Sequence, residues 1–338
     1  MLAIELARGL STAAKVLSLE GESAALVENW PRLKGQCDVV GLGKSAGIQP
    51  AMVKRIFSII SAMRPHAVVT HHIGPLIYGG LAARIAGVPL LVHVEHDAWH
   101  LRSRRRRYTM RALIGAVRPR IVAVSNAGAD EFRRNLPNTR IRVIPNGTDL
   151  GRFAPQDRGA RQRELGLPTG VPIVGSVGRL EHVKGHDVLI EALPHIERDC
   201  RIVIVGDGSL RQRLEARARA LGVSDRVLFL GHRDDVARIY PCFDLFVLPS
   251  RDEGLPISLL EAQACGVPVV ASRVGAVQEA VCPHTGRLVS PDDPRELARN
   301  IDSALDERSS RSPRDFVSEH FDFASTLASY RDILELGS

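Results

Sequence analysis

The stretch LPSRDEGLPISLLEAQACGVPVVAS, residues 248–272, places two glutamates and a glycine–proline turn between two apolar strands. The first apolar run predicts a strand, so Glu253 falls in the loop at its carboxyl end. The turn then leads into a helix that we expect to begin near Ile257. Gly254 lets the backbone approach a ligand closely, and Pro256 suits a first helical turn, where a missing N–H costs nothing. The free amides of this turn, with the helix dipole behind them, predict an anion site suited to phosphate.

Glu261 lies one turn further into the same predicted helix. A carboxylate there can accept hydrogen bonds from two neighbouring hydroxyls, as a ribose presents them. Glu253, ahead of the turn, would reach past the phosphates toward the group attached to them. Together these features fit a sugar linked to a nucleoside diphosphate. The alternative is that both glutamates are solvated, because two glutamates eight residues apart are common by chance.

Short β-branched runs alternate with amphipathic helical stretches along almost the whole chain. Near-continuous apolar strands with helical crossovers predict parallel sheets covered on both faces. The alternation pauses at NGTDLGRFAPQD, residues 146–157. We therefore predict an α/β fold with two doubly wound, Rossmann-like domains, residues 1–150 and 151–338, and a terminal helix that crosses back. Ligands of such sheets bind outside the carboxyl ends of the strands, which predicts a cleft between the two facing domains.

Charge is spread unevenly over the 338 residues, although the net charge is only +7. Residues 1–150 hold 21 basic and 10 acidic side chains, and the remainder holds 24 and 28. The basic half predicts an anionic partner. Five scattered cysteines without a CxxC pair indicate reduced thiols, which favours a cytoplasmic location. Since no uncharged run predicts a membrane span, any membrane contact is expected to be peripheral.

Several segments, in this order along the chain, resemble the family 4 glycosyltransferases, which are retaining enzymes of the GT-B fold. They include IVAVSNAGADEF at 121–132, RVIPNGTDLGRFAP at 142–155, VGRLEHVKGHDVLIEAL at 177–193, IVIVGDG at 202–208 and VLFLGHRDDV at 227–236. The stretch at 248–272 resembles the donor-binding motif of the same family. The resemblance implies a nucleotide-sugar-dependent enzyme that moves a hexosyl unit to a glycan or lipid-linked acceptor, in cell-surface or exopolysaccharide synthesis.

The resemblance also implies roles for individual residues. Arg179 and Lys184 would contact the donor diphosphate, and Glu253 would bind sugar hydroxyls. His96 would lie near the anomeric carbon and would orient and polarise rather than act as a nucleophile. The catalytic residues expected are therefore His96, Arg179, Lys184 and Glu253. The donor-binding residues expected are Gly178, Arg179, Lys184, His232, Arg233, Glu253, Gly254, Leu255, Pro256, Ile257 and Glu261, with His232 and Arg233 beside the base.

No metal ion or other cofactor is expected. The sequence has no Asp-x-Asp pair, the usual anchor for a metal on a diphosphate, and two fixed cations can stabilise the leaving group without one. Three histidines near Glu95 and Asp97 suggest metal as an alternative. However, alternate strand positions point to opposite faces, so Glu95 and His96 cannot easily converge.

Eight arginines lie between Arg102 and Arg120, and no acidic residue occurs between Asp97 and Asp130. A solvated helix face is the ordinary interpretation of such a run. The density and the missing counter-charges instead favour attraction to anionic lipid head groups or to a polyanionic acceptor on the inner face of a membrane. Nucleic acid is not expected, since no recognition motif accompanies the run and aromatic residues are 4% of the chain.

The start of the chain departs from the family pattern. The family opens with a strand and a glycine-rich loop, whereas Met1 begins inside what resembles the first helix, LAIELARGL. Either the true start lies upstream or the product is truncated. Two alternatives to the transferase therefore stay open: a weak or inactive donor-binding subunit of the same family, and a nucleotide-sugar epimerase of the same architecture.

Overall fold

The computed structural model describes residues 2–10, 13–23, 38–307 and 311–335. The chain forms two compact units. Unit 1 contains Met1–Asn146 and Ser325–Ser338, and unit 2 contains Gly147–Ala324. The boundary expected from sequence, between residues 150 and 151, lies four residues beyond this division.

Unit 1 contains two separate parallel sheets. The first pairs β1, Lys15–Ser18, with β2, Asp38–Gly41. The second has four strands in the same order as in the sequence: β3, Ala67–His71; β4, Leu90–Glu95; β5, Arg120–Ala123; and β6, Ile141–Val143. All six residues of β4 are buried, as the near-continuous apolar run of a central parallel strand predicts.

Helices cover these sheets. They are α1, Leu2–Leu10; α2, Pro50–Met63; α3, Leu81–Ile85; α4, Arg104–Val117; and α5, Asn126–Asn135. A short turn at Ile73–Pro75 and a π-turn at Leu76–Gly80 precede α3. Apolar side chains four residues apart, Met52, Ile56 and Ile60, put one face of α2 into the core.

The first described element of the chain is α1, and no main-chain ladder joins β1 to β3 within the described ranges. An apolar cavity of about 630 Å³ lies against both strands, and Leu6, Leu17, Ile56 and Val68 are among the side chains that line it. That this chain lacks the first strand and the glycine-rich loop of the family pattern stays a prediction.

Unit 2 contains one six-stranded parallel sheet, in the spatial order β12-β11-β10-β7-β8-β9. Its strands are β7, Ile173–Val177; β8, Arg201–Val205; β9, Val227–Gly231; β10, Leu245–Leu248; β11, Val269–Ser272; and β12, Gly286–Val289. After β7, the next two strands, β8 and β9, are added on one side of β7. The chain then crosses to the other side of β7, where β10 is added. This reversal is the topological switch point, where open α/β sheets bind ligands.

The helices of unit 2 are α6, Arg158–Glu164; α7, His186–Ala192; α8, Arg211–Ala220; α9, Val236–Ile239; α10, Ile257–Ala264; α11, Val277–Ala280; α12, Pro294–Asp306; and α13, Pro313–His320. The last helix, α14, covers Phe323–Glu335, and most of it belongs to unit 1. The two-domain α/β fold predicted from sequence is therefore confirmed.

Four cysteines are buried and free, namely Cys200, Cys242, Cys265 and Cys282. Burial raises the pKa of the Cys265 thiol to about 12, so this thiol stays protonated and unreactive. Cys37, the fifth cysteine, lies outside the described residues.

One arginine of α13 ties together the start and the middle of unit 2. The Arg314 guanidinium donates hydrogen bonds to the carbonyl oxygens of Leu150, Phe153 and Ala264, at 2.8, 2.6 and 2.5 Å. Because three carbonyl groups depend on one cation, its removal leaves each of them to find another donor.

Replacing the Arg314 side chain tests the contribution of these three hydrogen bonds to stability. Arg314→Met keeps the apolar stem and removes the donors, and we expect it to lower the free energy of unfolding by about 2–3 kcal/mol. Urea denaturation measures the change. Arg299→Met, on the exposed face of α12, is the control and should change stability by less than about 0.5 kcal/mol. Equal effects from the two variants would contradict the assignment.

Candidate functional site

The loops after β7 and β10 meet at the switch point through an ion pair. Lys184 Nζ donates to Glu253 Oε1 at 2.6 Å, and the two side chains are 23% and 8% exposed. The Ser250 hydroxyl donates to the same carboxylate oxygen at 2.7 Å. The structure therefore brings together two of the four residues predicted to be catalytic, and it fixes the carboxylate from two directions.

A second ion pair holds these loops in place. The Arg251 guanidinium donates to both Asp187 carboxylate oxygens, at 2.9 and 2.8 Å, and to the His182 carbonyl oxygen at 2.7 Å. Burial raises the pKa of Asp187, but the hydrogen bonds and charge of Arg251 outweigh it and lower that pKa overall. Sequence analysis missed this pair, although an arginine directly after an apolar strand was the available signal.

The first turn of α10 follows Glu253 directly. Leu255 and Pro256 are buried, and no side chain caps the helix at Pro256. The first backbone N–H groups of an uncapped helix are available to an external acceptor. The structure thus places Gly254, Leu255, Pro256 and Ile257 as a turn at the carboxyl end of β10, as the sequence predicted.

Glu261 lies within α10, where the Tyr240 hydroxyl donates to its Oε2 atom at 2.8 Å. Burial, and then the negative charge of Glu261, raises the pKa of Tyr240 well above its ordinary value, so the phenol remains a donor. This contact orients the carboxylate from inside the protein. Sequence analysis missed Tyr240, because the pairing depends on how the 3₁₀ turn Tyr240–Cys242, which follows α9, packs on α10.

Two further predicted cations differ in their surroundings. Arg179 is exposed, directly after Gly178 at the end of β7. Arg233 follows β9 and makes a two-point ion pair with Asp235, at 2.8 and 2.7 Å. His232 is exposed beside it. His232 and Arg233 follow β9, which is separated from β7 by β8 alone. They therefore lie at the same carboxyl edge of the sheet as Arg179.

In unit 1, His96 directly follows β4 and contacts two histidines that follow or end β3. His71 Nδ1 and His96 Nε2 are 2.9 Å apart, and the rings of His72 and His96 lie 4.7 Å apart between centroids. Burial, and then the charge of His72, lowers the pKa of His71 to about 4. Burial and the neighbouring imidazoles lower the pKa of His96 as well. These two imidazoles are therefore neutral near pH 7, so one donates to the other.

Sequence analysis did not assign His71 and His72 to a site. The signal was available, because two histidines end one parallel strand and His96 ends its neighbour, and the carboxyl ends of paired parallel strands lie side by side. His72 has φ of 65°, an uncommon conformation for a residue other than glycine. The backbone therefore turns sharply where the imidazoles meet.

Family comparisons divide the chain in the same way as its fold. Residues 157–319 match the model of the glycosyl transferases group 1, and residues 2–152 match that of the Glycosyltransferase Family 4. Similar curated proteins include the putative glycosyltransferase EpsF of Bacillus subtilis (strain 168), 37% identical over 204 residues, which are 57% of this chain and 53% of that protein. A D-inositol 3-phosphate glycosyltransferase of Mycobacterium sp. (strain KMS) is 39% identical over 179 residues, 51% of this chain and 40% of that protein. The chain thus spans about half the length of these relatives.

Solved structures share the fold across nearly the whole chain. Anabaena Alr3699/HepE, in complex with UDP and glucose, has a TM-score of 0.86 and 22% identity, over 99% of this chain and 95% of that one. Sucrose-phosphate synthase (tll1590) from Thermosynechococcus elongatus has a TM-score of 0.80 and 21% identity, over 98% and 91%. These likenesses show the GT-B fold.

The loop after β11 packs so closely on Glu253 that only glycine fits. Gly275 has φ of 50°, and a Cβ there would lie 1.8 Å from the Glu253 carbonyl oxygen. Gly222 has a similar φ of 68°, yet nothing lies within 4 Å of its Cβ position. Substitution of Gly222 would therefore introduce backbone strain alone, whereas substitution of Gly275 would introduce backbone strain and a steric clash.

Alanine at these two glycines tests the packing around Glu253. Gly222→Ala should cost about 1–2 kcal/mol, which is the strain of a left-handed alanine. Gly275→Ala carries the same strain and must also displace the Glu253 backbone, so we expect a loss at least 1 kcal/mol larger. Urea denaturation of both variants measures the difference. Equal losses would show that the loop yields without moving Glu253.

Proposed function

Since residues 2–152 and 157–319 each match a glycosyltransferase family, the chain belongs to the glycosyltransferases, and we propose that it is a retaining hexosyltransferase. In this proposal a nucleotide sugar donates the hexosyl unit to a glycan or lipid-linked acceptor. The observation that carries it is the Lys184–Glu253 pair at the switch point of unit 2, beside the uncapped first turn of α10.

Charge on the leaving group is the main chemical demand of the reaction. A nucleoside diphosphate gains negative charge as the glycosidic bond breaks, and fixed cations stabilise it without reorganisation. Glu253 and the surrounding loop hold Lys184 at the carboxyl edge of the sheet. The exposed Arg179 and the amides of the α10 turn would complete a diphosphate site that needs no metal ion of its own.

Donor recognition uses the two carboxylates in different ways. Glu253 has one oxygen engaged by Lys184 and Ser250, and its second oxygen would accept sugar hydroxyls. Glu261, with Oε2 held by Tyr240, would accept the ribose hydroxyls. His232 and Arg233 remain the proposed contacts to the base, through their backbone.

His96 is the proposed catalytic residue of unit 1. A neutral imidazole, hydrogen-bonded to His71, can orient and polarise a substrate hydroxyl, but it carries no charge of its own. Retention would then follow from attack on the same face that the diphosphate leaves, with a departing phosphate oxygen accepting the proton of the acceptor hydroxyl. The oxygen–sugar bond to the diphosphate breaks as the bond to the acceptor oxygen forms.

Cell-surface or exopolysaccharide synthesis at the cytoplasmic face of a membrane is the proposed setting. Within the described residues, the structure contains no helix with both the length and the apolar character needed to cross a bilayer. The helix α4 offers a peripheral contact instead. Arg104, Arg105 and Arg106 are exposed on it, and Arg106 lies 5.7 Å from the ring centre of the half-exposed Trp99. Basic residues interleaved with aromatic side chains suit an anionic lipid surface.

Donor binding and turnover test the proposed function together. A thermal-shift screen with UDP-, GDP- and ADP-glucose should identify one base that raises Tm, because a ligand that binds only the folded state stabilises it. With that donor, Lys184→Met should lower kcat by about 10²–10³-fold, as expected on removal of a transition-state charge partner. Glu253→Gln should raise the KM for the donor and lower kcat.

Controls separate the site from general damage. Lys54→Met removes an exposed lysine of α2 and should leave turnover unchanged. The anomeric configuration of the product, read by NMR, should match that of the donor, and inversion would contradict the retaining mechanism. Donor binding without hydrolysis or transfer would instead identify a donor-binding subunit.

Vesicle co-sedimentation tests the membrane contact. Two exposed arginines each contribute about 1 kcal/mol near an anionic surface, so Arg105→Glu with Arg106→Glu should weaken binding to phosphatidylglycerol vesicles at least ~30-fold. The control, Arg213→Glu with Arg219→Glu, makes the same charge change on the exposed face of α8 in unit 2. Equal losses in both double variants would show that net charge alone drives binding, and binding to neutral vesicles would exclude the electrostatic contact.

A further inference from the structure

A second cluster of ionisable side chains lies behind β4, apart from the His71–His96 pair. His93 and Glu95 occupy alternate positions of the strand, so their side chains lie on the same face, whereas His96 turns away. A 3₁₀ turn, Trp99–Arg102, then brings His100 back to them. His93, Glu95 and His100 are 0%, 2% and 7% exposed.

These buried groups lack hydrogen-bond partners in the described part of the chain. Glu95 Oε2 lies 3.7 Å from His93 Nε2 and 3.6 Å from His100 Nε2, beyond hydrogen-bonding distance from both. Both Glu95 oxygens and both of these ring nitrogens are buried and unpaired there. A buried carboxylate without a hydrogen bond is costly, so the cluster needs a further component.

The contact between Thr70 and His93 favours a proton on Nδ1 of the imidazole. The Thr70 hydroxyl donates to the Val92 carbonyl oxygen at 3.3 Å, so it is free to accept from His93 Nδ1, which lies 3.1 Å away. With the proton on Nδ1, the lone pair of Nε2 points toward Glu95. Two groups that only accept hydrogen bonds then face each other, an arrangement that a metal cation between them would satisfy.

Asp97 gives His100 a similar arrangement. His100 Nδ1 lies 3.9 Å from Asp97 Oδ1, while Nε2 faces Glu95. Ligand atoms of Glu95, Asp97 and His100 all lie within 4.8 Å of one another. The two carboxylates supply two negative charges, which match a divalent cation.

We propose that this cluster binds one Zn²⁺ ion through His93 Nε2, a Glu95 oxygen and His100 Nε2. Ligand atoms around a tetrahedral zinc ion lie about 3.3 Å apart, since the bonds to nitrogen are about 2.0–2.1 Å. Glu95 Oε2 lies 3.7 Å from His93 Nε2 and 3.6 Å from His100 Nε2, so each of these two separations needs only a small closing shift. Two imidazoles and a carboxylate are donors that zinc accepts readily. Thr70 and Asp97 are positioning residues, because each contacts the remaining nitrogen of a ligand histidine.

The zinc site has a structural consequence for unit 1. It joins the end of β4 to the 3₁₀ turn, and His96 lies between these two attachment points. The ion would thereby fix the backbone that carries His96, without taking part in the diphosphate chemistry of unit 2. Sequence analysis expected no metal ion, in part because Glu95 and His96 cannot easily converge, and the proposed site uses His93 and His100 instead of His96.

Metal content and stability test the proposal on the untagged full chain. After zinc loading and desalting, elemental analysis should find one Zn²⁺ per chain, and chelation should lower Tm. Co²⁺ loading should give the visible absorption of a tetrahedral site. Glu95→Gln should abolish stoichiometric zinc and the effect of the chelator on Tm. Thr70→Val should weaken zinc binding about 10–100-fold without abolishing it.

Two histidine variants outside the proposed site serve as controls for the position of the ion. His66→Gln, at an exposed position ahead of β3, and His72→Gln, in the neighbouring imidazole cluster, should both retain one Zn²⁺. If Glu95→Gln fails to fold, zinc content, chelator sensitivity and the Co²⁺ spectrum of the unaltered chain still decide. Absence of bound zinc, with a Tm that neither zinc nor chelator changes, would overturn the proposal. Loss of zinc in His72→Gln alone would place the ion at the other cluster.

Discussion

In unit 2 the chain leaves β7 in one direction along the sheet and returns to its other side only at β10. Parallel strands place all their carboxyl ends at one edge, so this reversal opens a gap between two loops that no crossover helix fills. The Lys184–Glu253 ion pair spans that gap at 2.6 Å. Arg251, Ser250 and Gly275 each restrict one of the two loops. The chemistry proposed for unit 2 depends on this pair, because it fixes both a cation and a carboxylate at the switch point.

In unit 1 the carboxyl ends of two parallel strands carry histidines, where unit 2 has an ion pair. The ends of β3 and β4 gather five histidines, and the pleat of β4 separates them into two groups. His71, His72 and His96 form one group, in which the neutral imidazoles of His71 and His96 share a hydrogen bond. His93 and His100 lie on the other face with a buried carboxylate. One strand thus supports a proposed catalytic histidine on one face and a proposed metal-binding group on the other, because adjacent residues point in opposite directions.

The sequence predicted the features that depend on short-range pattern. Glu253, the Gly254–Pro256 turn and the start of α10 at Ile257 follow from local turn chemistry, and the structure has them in place. Contacts between distant segments were not predictable in this way. Tyr240 reaches Glu261 only because the 3₁₀ turn Tyr240–Cys242 packs on α10. Arg251 reaches Asp187 only because β7 and β10 are neighbours in space. Alternation along β4 correctly separated Glu95 from His96, but it could not show that the turn after β4 brings His100 back.

The division of unit 1 into two sheets affects how its parts hold together. Within the described residues, no ladder of main-chain hydrogen bonds joins β1 to β3, and Leu17, Leu19 and Val40 attach the smaller sheet by packing on the apolar core. Apolar attachment is driven largely by the entropy of released water near room temperature, and it weakens on cooling, whereas ladder hydrogen bonds do not share this dependence. The attachment of the smaller sheet to the rest of unit 1 is therefore expected to weaken on cooling.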